Sequence, residues 1–409
     1  MFAFAKVVAH VVQQANLLVC TNNTAGSPIV ASNFGRNAKS IILIRDEVPK
    51  EVELNSWIPI ACLRSGAKVI GMVISGDLEQ PQPTVLSAQD DPVYNGFALQ
   101  LQLSFFRRAT KMNHPVTKLT EQRRFRDAFV GWLNKRIYNS MMKSHVSTQG
   151  LTIDPRWDAM VRDLYDLNYP LDTGNIVLSI EGSEAFVDPH SKSRLNHNIL
   201  YAVISLILCC MESTAYLPTE ITVICLYKAQ KVLYLQALHK LIQANVLRFD
   251  ALPCIETADS IQGKENRVII VDWVVSSASK KSDLGFTIDD SRGNVAQSRM
   301  REVMVNIVPS TIGSDALSTN DQERNGPRRD LKKKKLPYLC EYVQYAAAHR
   351  MIIEVSKDRV YDHLHPEVRC FDAEELEEPK NGSVSGVPID LDSLHEVFDR
   401  EQTVPVSKI

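Results

Sequence analysis

Thr257-Ala-Asp-Ser-Ile-Gln-Gly-Lys-Glu265 runs directly into Asn266-Arg-Val-Ile-Ile-Val-Asp272. The second stretch is a short β-branched run, the mark of a buried strand. Downstream, Asn294-Val-Ala-Gln-Ser-Arg299 sets a lone arginine beside another apolar run, Val303 to Val308. Working outward from this pair, similar runs occur at Ser40 to Ile44, Lys68 to Ile74, Asn175 to Ile180 and Ile221 to Leu226. Runs of this kind, bounded by Gly, Pro or Asp and separated by helical segments, predict strands of a parallel sheet. Asn196 to Glu212 and Ala229 to Asn245 carry the wide apolar faces of helices that cover such a sheet.

The pattern divides near Lys118. Residues 1–117 hold too few strands for a whole sheet, 118–309 hold enough for a domain, and 310–409 form a variable, largely flexible extension. Within that extension Pro337 to Val355 is one more apolar or helical segment. From Ser356 onward acids, Pro and Gly predict disorder.

The 409 residues are 44% apolar and 23% charged with a net charge of -2, which is ordinary for a globular chain and argues against nonspecific coating of nucleic acid. Eight cysteines without a C-x-x-C pair suggest neither a zinc ribbon nor a disulfide framework. The longest apolar run, Ile199 to Met211, is too short to span a bilayer. Lys6, His10, Gln13 and Gln14 break the apolar N-terminus unlike a signal peptide, so a nuclear or cytoplasmic chain that is not secreted is expected.

The ordered pair at 257–272 and 294–308 resembles motifs V and VI of the superfamily 1 helicases, in the branch of the nonsense-mediated-decay RNA helicase. That resemblance implies tandem RecA-like parallel sheets flanked by helices, the first incomplete, with ATP and Mg²⁺ at the cleft between them. It also implies a single-stranded nucleic-acid partner, RNA rather than DNA, and no membrane. Gly263 and Glu265 then border the nucleotide, while Thr257 and Ser260 face the nucleic-acid backbone. Arg299 becomes the arginine that stabilises charge on the γ-phosphate, with Asn294, Gln297 and Ser298 placing it.

Other stretches extend the resemblance. Ile41-Ile-Leu-Ile-Arg-Asp-Glu47 ends a strand in adjacent acids. In motif II of such enzymes the first acid, here Asp46, holds Mg²⁺ and the second, Glu47, orients or deprotonates water. Ser75-Gly-Asp-Leu-Glu-Gln80 is similar to motif III, which makes Gln80 the phosphate sensor. Leu119-Thr-Glu-Gln-Arg-Arg124-Phe resembles a Gln-Tyr-Arg-Met segment and assigns Arg124 to phosphate. It leads into Leu133-Asn-Lys-Arg-Ile-Tyr138, where the family has an Asn and then a Phe-Tyr. Ile221 to Gln230 is similar to motif IV, placing Tyr227 near the base. Ala15 to Gly26 resembles the strand and turn of motif Ib, with Thr21 and Thr24 as backbone contacts.

The pattern is broken in two places. No G-x-x-x-x-G-K-[ST] phosphate loop occurs in the chain, and family order puts it before residue 1. Arg45 precedes the motif II acids where a small or apolar residue is usual, and a cation there would compete with Mg²⁺ unless it points away. The expectation is therefore the C-terminal portion of an ATP-dependent helicase or translocase, truncated and unable to hydrolyse ATP alone. The alternative is an inactive helicase-like remnant that binds nucleic acid or protein. The basic cluster Arg328, Arg329 and Lys332 to Lys335 is a candidate nucleic-acid contact or nuclear address.

Overall fold

The computed structural model describes residues 2–85, 95–188, 191–275, 281–310, 312 and 336–371. The basic cluster at 328–335 and the acidic tail lie outside these residues. Up to Cys370 the chain is one compact unit.

Of the seven stretches read as strands, six form strands. In chain order the principal strands are β1 (Ser40–Arg45), β2 (Lys68–Ile74), β3 (Asn175–Ile180), β4 (Ile221–Cys225), β5 (Cys254–Thr257), β6 (Asn266–Asp272), β7 (Met300–Pro309) and β8 (Ile352–Val355). Strands β3 to β8 make one parallel sheet in the order β8-β3-β7-β6-β4-β5. A parallel sheet is covered on both faces, so its strands read as unbroken apolar runs rather than alternating ones. Accordingly every residue of β3 and β4 is buried.

The helices follow from capping and pattern. Helix α1 (His197–Ser213) begins at Asn196, whose side chain accepts from the Ile199 amide at 3.1 Å. It is apolar nearly all round and accordingly almost wholly buried. Helix α2 (Lys228–Gln243) packs beside it over the β4–β5 side of the sheet. Helix α3 (Asp290–Ala296) is capped by Asp289, which accepts from the Ser291 amide at 2.8 Å.

The second sheet does not stop at Pro309. Helix α4 (Tyr338–Ala348) leads into β8, which pairs with β3 and forms one edge. Tyr338 and Tyr342 are fully buried, so the apolar segment expected at 337–355 packs against the second sheet. Strand β5, at the opposite edge, was not expected, because Cys254-Ile-Glu-Thr257 is too short and polar to stand out.

The first sheet, among the described residues, consists of β1 and β2 alone, paired in parallel. Ile42 and Ile44 are 60% and 76% exposed, so one face is bare. Burying such a side chain is worth about 1.5–3 kcal/mol, and this pair forgoes that on its outer face. The strand expected at 15–20 is absent: Leu17 and Val19 are exposed and the run joins neither sheet. Apolar residues make a strand only where an edge offers hydrogen-bond partners, and β1 and β2 take only each other. No helix among the described residues is long and apolar enough to cross a membrane.

Candidate nucleotide site in the cleft

The motif II acids leave the carboxyl end of β1 on a turn. Asp46 Oδ1 accepts from Ser75 Oγ at 2.7 Å and from the Glu47 amide at 3.0 Å. Its other oxygen has no protein partner among the described residues. Glu47 sits in the left-handed region (φ 53°), a conformation that costs a non-glycine residue about 1–2 kcal/mol. That twist turns its carboxylate out of the strand direction and toward the second sheet. Gln262 Nε2 donates to Glu47 Oε2 at 2.9 Å.

Arg45 points the other way. Its buried guanidinium donates to the Ser56 carbonyl and pairs with Glu51. Successive residues of a strand face opposite sides, so the cation that seemed to crowd Asp46 is tied to the far side. The motif III turn packs on the motif II turn because Gly76 has no side chain. A Cβ there would lie 2.2 Å from Pro49 Cδ.

From the second sheet come the arginines. Arg299 is almost fully buried, with Nε donating to the Val295 carbonyl at 3.1 Å and Nη2 to Gln80 Oε1 at 3.2 Å. Burial and the neighbouring Arg124 charge push its guanidinium down to about 10. Arg124 donates to Glu265 Oε2 at 2.6 Å and to the Ser298 carbonyl at 2.8 Å. Two guanidiniums that repel each other in a low-dielectric cleft are suited to an anion between them.

Tyr138 completes the bridge. It ends the π-helical turn Asn134–Tyr138, a distortion frequent at functional sites. Its hydroxyl donates to Asp77 Oδ2 at 2.6 Å and accepts from Asn294 Nδ2 at 2.9 Å. Burial first, and then Asp77, raise its pKa well above the usual tyrosine value. Gln80 Nε2 donates to the same Asp77 at 3.3 Å. Two hydrogen-bonded chains, Asp77–Tyr138–Asn294 and Asp77–Gln80–Arg299, thus run from the motif III turn to the second half of the chain. A cleft of about 360 Å³ opens beside them, lined by Gln80, Arg124, Tyr138, Glu265 and Ser298.

Behind the arginines a buried polar layer holds α3. Trp132 Nε1 donates to the Tyr338 hydroxyl at 2.8 Å, which donates to Gln297 Oε1 at 2.7 Å. Gln297 Nε2 in turn donates to Asn306 Oδ1 at 2.7 Å. Arg136 pairs with Asp290 and Glu341. Each polar group is satisfied by another, which keeps such a layer stable and stiff.

Of the candidate residues, Gln80, Arg124 and Glu265 line this cleft, Arg299 bonds to Gln80 beside it, Glu47 bonds to Gln262, and Asp46 stays on the motif II turn with Ser75. Gly263, next to Gln262 in the chain, has φ 82° and open space where a side chain would stand. Tyr227 does not join them. It stacks on Phe286 at 5.0 Å and accepts from the Phe286 amide at 3.0 Å, with Arg194 over its ring. Thr257 and Ser260 form a turn around each other (Oγ1 to Oγ, 3.0 Å), anchored by buried Glu256. Burial works to raise the Glu256 carboxyl, but Lys264, Ser260 and Lys231 hold it below the ordinary value. Thr21 caps a short helix, accepting from the Thr24 amide at 3.2 Å. The Thr21 and Thr257 turns do not touch. They are linked through Asn22 to Glu51 on one side and Lys50 Nζ to the Asp259 carbonyl (2.8 Å) on the other.

Sequence reading missed Lys50 and the bond between Gln262 and Glu47. A lysine five residues past a strand carries no signal of its own. Its role depends on which distant turn the fold brings up.

For Mg²⁺, the fit rests on Asp46. Mg²⁺ in nucleotide sites takes one or two carboxylates and keeps water and phosphate for the rest. Asp46, held by Ser75 with one oxygen left over, supplies what that coordination requires. No cluster of three or more His, Cys, Asp or Glu exists among the described residues.

Comparison with known proteins gives concordant results. The AAA domain family matches residues 101–310, about half of the chain. An uncharacterized ATP-dependent helicase of Methanocaldococcus jannaschii is 25% identical over 326 residues, covering 78% of this chain and 42% of the relative. The DNA-binding protein SMUBP-2 of Mesocricetus auratus is 25% identical over 309 residues, 74% of this chain and 28% of the relative. The DNA polymerase alpha-associated DNA helicase A of Saccharomyces cerevisiae is 27% identical over 312 residues, 73% of this chain and 43% of the relative. The chain spans less than half the length of each of these relatives. With the family matched over residues 101–310, the chain belongs to the AAA domain family.

Proposed function

We propose that this chain is the C-terminal portion of an ATP-dependent RNA helicase or translocase of the nonsense-mediated-decay branch, working in the nucleus or cytoplasm. The observation that carries the reading is the convergence of Arg124 and Arg299 on the cleft, with Arg299 bonded to Gln80 and facing the Glu47 charge. Asp46 would hold Mg²⁺, which when bound neutralises charge on the β- and γ-phosphates. Glu47 accepts a proton from water. Gln80, already hydrogen-bonded to Arg299, reports whether a γ-phosphate is present. Arg124 and Arg299 stabilise the charge that builds on the transferred group, and clamps of this kind contribute on the order of several kcal/mol each.

Gly263, Glu265 and, more remotely, Tyr227 serve the nucleoside end. Thr21, Thr257 and Ser260 offer hydroxyls to a nucleic-acid backbone, contacts that carry no base preference. Lys50, bridging their two turns, ties strand contact to cleft closure.

No G-x-x-x-x-G-K-[ST] phosphate-gripping loop occurs within these 409 residues. The chain alone is therefore expected to bind single-stranded RNA and to turn over little ATP. ATPase and RNA-binding assays on the chain, with and without single-stranded RNA and beside Arg299→Ala, test this. RNA binding without turnover agrees with the proposal. Turnover stimulated by RNA and lost in Arg299→Ala keeps the helicase reading but shows the site complete within the chain. Absence of both RNA binding and turnover overturns it.

A further inference from the structure

Gln262 carries a contradiction. Its Nε2 donates to Glu47 across the cleft at 2.9 Å, while its Oε1 is buried with no hydrogen-bond partner. The amide cannot be turned round to cure this. A carboxylate only accepts, so the donor end must face Glu47. Leaving a buried amide oxygen unpaired is destabilising.

Five buried side-chain oxygens lack a partner among the described residues. Two of them, Gln262 Oε1 and Asn294 Oδ1, belong to amides that bond across this cleft, Asn294 to the Glu79 carbonyl and Tyr138. An unpaired acceptor asks for a donor, and phosphate oxygens have none to give. Water has two.

We propose that Gln262, with Glu47, positions the water that attacks the γ-phosphate. The inference rests on the ATPase reading above and adds a catalytic group to it. One water hydrogen is donated to Gln262 Oε1 and the other to Glu47, which leaves a lone pair aimed into the cleft. As the water oxygen bonds to γ-phosphorus, the bond from that phosphorus to the β–γ bridging oxygen breaks. Its electron pair leaves with ADP, and the water proton passes to Glu47. The Gln262 Nε2 donor steadies the carboxylate before transfer. The left-handed backbone of Glu47 gains a purpose here: it brings the carboxylate within reach of an amide from the other sheet.

The test has two readouts. The first is a crystal structure of the whole chain, wild type and Gln262→Ala, at a resolution where buried water is ordered. The wild type should show a water within hydrogen-bonding distance of Gln262 Oε1 and a Glu47 carboxylate oxygen, and the variant should lose it with the Glu47 backbone unmoved. No water there in the wild type, or the same water in the variant, overturns the proposal. The second readout is turnover. If the wild type hydrolyses ATP, Gln262→Ala should lower kcat by about 10²-fold, the usual worth of a proton-handling group, with KM changed little. Equal kcat, even with the water present, also overturns it. If the wild type shows no turnover, the helicase reading is judged on RNA binding and this inference on the water.

Discussion

Asp272 ends β6 with no exposure to solvent and no cation among its partners. Oδ2 accepts from Gln230 Nε2 at 2.7 Å and from the Tyr234 hydroxyl at 2.9 Å, and Oδ1 from the Val274 amide at 2.8 Å. Burial pushes the carboxyl up to about 7, against those three bonds. The titratable groups nearest it, Tyr234 and Cys225, are themselves held protonated by burial and by Asp272. In the unfolded chain an aspartate titrates near ~3.9. Between these values the folded state binds more protons than the unfolded one, so stability must fall as pH rises and level off above about 7.

The gap of some three pH units corresponds to about 4 kcal/mol at roughly 1.4 kcal/mol per unit, and about 3 of it is lost between pH 5 and 8. Asp272→Asn cannot ionise. It suffers a constant penalty instead, because an amide offers a donor where Gln230 already donates. Urea unfolding of wild type and variant, at fixed ionic strength across pH 5 to 8, isolates the term. The variant should gain on the wild type by about 3 kcal/mol over that range. A difference that stays flat would mean Asp272 is already ionised at pH 5, and the reasoning from burial would fail.

Two further outcomes follow from the packing. At Gly293 an added Cβ would lie 2.2 Å from Tyr338 Cε1, so Gly293→Ala should destabilise the fold by about 1–3 kcal/mol in urea. Arg45→Ala should lower stability by about 1–3 kcal/mol, through the loss of its bonds to Ser56 and Glu51. It should leave Mg²⁺-nucleotide affinity untouched, and a rise in that affinity would place the guanidinium beside Asp46 after all.

Much of the fold was legible because strand and helix patterns are local. The apolar runs at 175–180, 221–226, 268–271 and 303–308 needed only their own composition to declare themselves. Where local pattern misled, the cause was pairing. Leu17 and Val19 look like strand residues but find no edge, whereas the polar Cys254–Thr257 becomes a strand because β4 offers one. Residues 338–355 looked peripheral because their burial depends on Trp132, Gln297 and Asn306, which stand far away in sequence.

The site divides the same way. The resemblance to the helicase motifs, carried by residue type and order along the chain, nominated Asp46, Glu47, Gln80, Arg124, Glu265 and Arg299. Order along the chain cannot say which way a side chain faces. Only the tertiary structure turned Arg45 away from Asp46, took Tyr227 out of the cleft to stack on Phe286, and set Gln262 against Glu47, 215 residues apart. Sequence by itself determined which elements form and which chemistry they can carry, because propensity and side-chain chemistry are properties of short stretches. The pairing of groups across the cleft belongs to the folded chain, where the packing of two sheets decides which distant atoms come within 3 Å and which polar atoms are left waiting for a partner.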